Sequence, residues 1–194
     1  MIKLLQIILY NLLLLVLLLK IVSAERLAIL NWETKAPESL DSLSLSEDKG
    51  REEGIAIIEL DRNNKDYGKI LSNIPIDPEL ILHHIFYNQD LTKAYITALA
   101  GNNLYYIDLK DKVWRLYNIP VPMCKVQENI IFSNDNKRWW LTCMGSSNVI
   151  EGNAENNTII RVINIPNSYP HGITLNEDIG RILVANCVAP DMSS

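Results

Sequence analysis

The sequence has little of the material from which common active sites are built: three histidines and three cysteines in 194 residues. It contains no G-x-S-x-G, no phosphate-binding loop and no H-E-x-x-H pair, and with so few histidines no hydrolase triad stands out. There is no C-x-x-C pair, which excludes a zinc knuckle and a thioredoxin-type motif. Basic runs are also missing, and with a net charge of -5 the chain has no electrostatic footprint for nucleic acid. Beyond the first 24 residues no stretch carries a long helical stripe.

What is present begins with an apolar leader. The 48% apolar content is that of a packed globular protein. "MIKLLQIILYNLLLLVLLLKIVSA" has a basic start at Lys3, an apolar run from Leu4 to Leu19, and small residues at Val22, Ser23 and Ala24. It reads as a secretory signal peptide over residues 1–24, leaving an exported mature chain, periplasmic or secreted, from residue 25 to 194. The competing reading is an uncleaved anchor, in which case this segment alone would touch a membrane. Its 16 residues, interrupted by Gln6 and Asn11, are short for a bilayer core of about 30 Å. An odd set of cysteines, Cys124, Cys143 and Cys187, allows at most one intrachain disulfide, and the leftover thiol is expected to be inert and buried.

From Gly54 onward short runs rich in Ile, Val, Tyr and Leu alternate with clusters of Asn, Asp, Gly and Pro. Examples are "IAIIEL", "KAYITAL", "NLYYIDL", "RWWLTC" and "RILVANC". These are strand lengths bounded by turn residues, and the class is all-β. An internal repeat orders them. His83, Glu128 and His171 are equivalent starting positions, spaced by 45 and 43 residues, and Asp90, Asp135 and Asp178 also coincide. So do strands ending at Thr97, Thr142 and Ala185. A period of 40 to 50 residues with four short strands per unit predicts a β-propeller.

With the strands of each blade labelled A to D from the axis outward, the blades fall at about 27–78, 79–122, 123–168 and 169–194. The first lacks its A strand and the last stops after B. Three to three and a half blades are too few to close a ring on their own, so the expectation is a fragment of a larger propeller or closure by self-association. Two long segments, residues 32–54 and 144–157, are expected as B-to-C loops on the face where the A strands start. There His83, His84, Glu128 and His171 would gather. Successive residues of a regular strand point to opposite sides, so His83 and His84 share an ion only if the strand start is bent. Two histidines and a carboxylate suit a transition metal, whereas the plainer reading is a propeller channel lined by hydrated polar groups. The Trp139–Trp140 pair is expected in core packing on opposite sheet faces, and Asp61, Asp108 and Asp111 as turn formers. Asn156-Asn157-Thr158 fits a glycosylation sequon.

The run "YGKILSNIPI...HHIFYNQDLTKAYITALAGNNLYYIDL" resembles the early blades of the selenium-binding protein family, which includes methanethiol oxidases. The shared pattern is Tyr67-Gly68-Lys69, the pair His83-His84, and Ile107-Asp108-Leu109. "YPHGITLNEDIGRILVANCVAPDM" is similar to that family's third-blade region, with Ala189-Pro190 downstream. The resemblance implies a seven-bladed ring whose histidines bind copper and support oxidation of small thiols, with His83 and His84 as ligands. Where the family has a histidine at the start of the second blade, this chain has Glu128. The readings that follow are a copper-binding, thiol oxidase-like protein or its truncated remnant, and a non-catalytic propeller that binds a protein or small ligand through its B-to-C loops. A degraded product without activity is a third.

Overall fold

The structure, a computed structural model, describes residues 26–34, 52–111 and 113–187. The expected leader, most of the 32–54 loop and Ala189-Pro190 lie outside these residues. Thirteen strands and two short 3-10 turns make up the described chain, and none of its helices is long and apolar enough to cross a membrane.

Each sheet is an antiparallel meander, as the alternation of short apolar runs and turn residues predicts. β1 (Leu27–Glu33), β2 (Glu53–Glu59) and β3 (Ile70–Ile76) form a three-stranded sheet in that order. β4 (Leu82–Tyr87), β5 (Lys93–Ala98), β6 (Asn103–Asp108) and β7 (Leu116–Pro120) form the first complete blade. β8 (Gln127–Phe132), β9 (Arg138–Cys143), β10 (Asn148–Asn153) and β11 (Ile159–Asn164) form the second, and β12 (Pro170–Asn176) pairs with β13 (Arg181–Asn186). The molecule is a partial β-propeller whose inner strands β4, β8 and β12 pack side by side.

The core lies between blades, because each sheet presents apolar residues to the neighbour on either side. Ile55, Leu82, Ile96 and Ile107 fill the first interface. Tyr95, Phe132, Trp139 and Leu141 fill the second, and Trp140, Val149 and Ile173 the third. The two tryptophans thus lie on opposite faces of β9, both buried. Fully burying a side chain of this size contributes about 1.5–3 kcal/mol. Trp139 is accommodated by Gly152 directly across the β9–β10 pair, where a Cβ would lie 1.9 Å from the indole. Trp32 faces Gly54 in the same way across β1–β2.

The 144–157 loop expectation is overturned. Met144–Ser146 is a single 3-10 turn and Asn148–Asn153 is β10, a central strand of its blade. "NVIEGN" does not look like a buried strand because its charge and its glycine both have specific partners. Glu151 is 1% exposed, and its carboxylate takes Arg138 Nη1 at 3.2 Å and Arg161 Nε at 2.5 Å. Gly152 receives the Trp139 ring. "TIIRVINI" is consequently the outer strand β11.

Cys124 and Cys143 form a disulfide with a Cα–Cα distance of 5.0 Å, tying the entry to the second complete blade to the end of β9. The remaining thiol, Cys187, is exposed rather than buried. Two of the three aspartates act as turn formers, Asp61 Oδ1 accepting from the Asn63 N–H and Asp108 Oδ1 from the Lys110 N–H, whereas Asp111 Oδ2 accepts from the Tyr117 hydroxyl at 3.2 Å. Asn156 stands in the exposed turn between β10 and β11, its Oδ1 accepting from Thr158 Oγ1 at 2.7 Å.

Candidate metal site

Three inner strands open with the same irregularity. In the β4–β5 pair Leu82 faces Ala98 and Ile85 faces Ile96, leaving His83 and His84 together opposite Thr97. In β8–β9, Glu128 and Asn129 lie opposite Thr142. In β12–β13, His171 and Gly172 lie opposite Ala185. Two residues facing one is a β-bulge, which bends the strand and re-aims its side chains. The repeat therefore extends to a backbone distortion at the three positions that it makes equivalent.

The bulge resolves the period-two difficulty. His83 and His84 stand side by side, ring centroids 3.7 Å apart, instead of on opposite faces. His84 is further flanked by Phe86, whose ring meets it edge-on at 5.8 Å. From the next blade Glu128, 3% exposed, brings its carboxylate between the blades. Oε2 lies 3.2 Å from His83 Nε2 and 3.4 Å from His171 Nε2. Neither contact has hydrogen-bond geometry, so Oε2 is a buried oxygen without a hydrogen-bond donor. Leaving such an oxygen unpaired is costly, by about 1–3 kcal/mol and more when it is charged.

His83, His84 and Glu128 each offer one ligand atom, and these lie within 4.8 Å of one another. His171, exposed, approaches the same carboxylate from the far side and is not among the three mutually close donors. Although His84 is exposed, partial desolvation of its ring, followed by the nearby His83, holds its imidazole below the usual range, with Glu128 opposing and His171 adding to the shift. A neutral imidazole has a lone pair to donate. Two imidazoles and one carboxylate make a borderline-hard donor set that fits a divalent first-row transition metal, copper and zinc included.

The loops expected above this site fare differently. Residues 144–157 no longer supply one, and of residues 32–54 only the strand ends are described. A ligand-binding role carried by those two loops therefore lacks one of them. Sequence reasoning also passed over Asn31, Thr97 and Thr142. The two threonines end equivalent strands of the repeat, and that equivalence is the available signal, since a buried hydroxyl repeated at one position needs a partner each time.

No family model matches this chain, and no curated protein matches it. Solved structures do. The dihydro-heme d1 dehydrogenase NirN in complex with DHE aligns at a TM-score of 0.53 and 14% identity, over 69% of this chain and 28% of that one. A functionally unknown protein from Desulfotomaculum acetoxidans aligns at 0.52 and 16%, over 69% and 41%. The periplasmic gluconolactonase PpgL of Pseudomonas aeruginosa aligns at 0.52 and 13%, over 69% and 44%. This chain thus spans less than half the length of each. None of the three is a selenium-binding protein by name, one is of unknown function and the other two differ in activity, which leaves the propeller fold as what they share with this chain.

Proposed function

We propose that this chain is an exported propeller protein that holds a transition metal, copper by the family resemblance, at the open end of its inner strands, and that the metal serves oxidation of a small thiol with dioxygen as the electron acceptor. The observation that carries the reading is the buried, donor-less Oε2 of Glu128, 3.2 Å from His83 Nε2, in a residue whose carboxylate offers a ligand atom within 4.8 Å of those of His83 and His84. A bound cation would offset the carboxylate's desolvation, which imidazole contacts of poor geometry do not.

His83, His84 and Glu128 would hold the ion and His171 would flank it. Copper, when bound, would supply a one-electron redox centre with affinity for thiol sulfur. Glu128 would keep the net charge of the site low, and the bulge would keep both imidazoles turned to one side. No residue of the site is assigned as a general base. Export is supported by the Cys124–Cys143 disulfide, a bond favoured outside reducing compartments, and by the leader-like sequence of residues 1–24.

Oxygen uptake by the copper-loaded chain in the presence of a small alkanethiol tests the activity. Thiol-dependent uptake that disappears in the H83A/H84A double variant is expected. Copper bound at the site with no uptake above free copper would reject the oxidase reading and leave metal binding standing.

A further inference from the structure

The three bulges are joined across blade boundaries by a repeated side-chain link. Thr97 is fully buried opposite the first bulge, and its Oγ1 accepts the His84 N–H at 3.1 Å. That N–H belongs to a bulge residue and has no regular ladder position, so the hydroxyl stands in for the strand. The same hydroxyl donates across the interface to the backbone carbonyl of Glu128 at 3.4 Å. Thr142 repeats the arrangement one blade on. It accepts the Asn129 N–H at 2.9 Å, and its Oγ1 lies 2.6 Å from the His171 carbonyl oxygen. From the preceding blade Asn31 Nδ2 donates to the carbonyls of Leu82 and His83 at 3.4 and 3.3 Å. In each case a residue near the end of a B strand holds the backbone of a candidate ligand residue in the next blade. At the fourth equivalent position stands Ala185, which has no hydroxyl.

A threonine that only sealed the interface would need one partner. Thr97 has two, and they are the backbone of His84 on one blade and that of Glu128 on the next. We propose that Thr97 is a positioning residue for the metal site, fixing the separation between the imidazole of one blade and the carboxylate of another, which share no direct covalent or ladder connection. This rests on the metal-site reading for its purpose, although the positioning itself exists without a metal. Outer groups that orient ligands change metal affinity by roughly 10–100-fold when lost.

The test compares Thr97→Val, of nearly the same shape without the hydroxyl, with Thr97→Ser, which keeps it. In the metal-free chain the ring nitrogen and carbon NMR signals of His83 and His84 are expected to move in T97V and to return close to their original positions in T97S. With copper alone as the probe, T97V is expected to bind about 10-fold or more weakly and to change the copper EPR spectrum, and T97S to recover both. Histidine signals in T97V that superimpose on those of the unmodified chain would overturn the proposal whatever the metal does. Moved signals in a chain that binds no copper would uphold the positioning and reject the metal reading instead. Should T97V fail to fold, amide exchange of the unmodified chain decides: the His84 N–H is expected to be protected, and exchange at the rate of a free amide would overturn the proposal.

Discussion

Trp139 lies against Gly152 across the β9–β10 pair so closely that no side chain fits on the glycine. Because the indole is fully buried between blades, it has nowhere to retreat. Gly152→Ala is expected to destabilise the chain by about 1–3 kcal/mol, with the loss read as a lower urea midpoint at unchanged slope. Gly172→Ala, whose added carbon would meet only the Ala185 Cβ at 3.7 Å, serves as the control and should shift stability by no more than about 0.5 kcal/mol. Equal effects at the two positions would contradict this account of the interface.

The buried carboxylate of Glu151 has two guanidinium partners, each more than half exposed. Either one alone still compensates the charge, so Arg138→Ala and Arg161→Ala should each cost about 1 kcal/mol or less after solvent screening. Removing both leaves a buried, unpaired carboxylate, and the double variant should lose more than the sum of the singles, by about 1 kcal/mol or more. A double-mutant cycle on thermal or urea unfolding measures this coupling, and simple additivity would contradict it.

Cys124 and Cys143 close a loop of sequence separation 19, whereas Cys187 is exposed and free. Constraining the unfolded chain over such a loop contributes about 3 kcal/mol. C124S/C143S should therefore lose about that much, and Cys187→Ser close to nothing. Under native, non-reducing conditions a thiol reagent should label one cysteine per chain, and labelling of two or three would exclude the pairing.

How legible this fold is depends on what kind of signal each element leaves. The repeat of His83, Glu128 and His171 located the inner strands because turn residues and apolar runs recur with the blade. β10 escaped because its burial depends on partners distant in sequence: Glu151 is made tolerable by Arg138 and Arg161, and Gly152 by Trp139. Bulges are invisible to a period-two reading, so the sequence alone leaves open whether His83 and His84 share a side, and the register of β4 against β5 decides it. The disulfide could be counted but not paired, since pairing is a matter of distance. Thr97 and Thr142 align in the repeat but show no role in the sequence, because their value lies in hydrogen bonds to a neighbouring blade.

The central claim is that His83, His84 and Glu128 form a metal site. The most direct test is the copper content of the purified chain after equilibration with dilute copper and exhaustive dialysis, beside H83A/H84A and Glu128→Gln. The account predicts close to one copper per folded chain, lost in the double variant and reduced by about 10-fold or more in affinity in E128Q. A folded, monodisperse chain that retains no copper, or that retains it equally in all three forms, would contradict the claim and return the histidines to the lining of a hydrated channel.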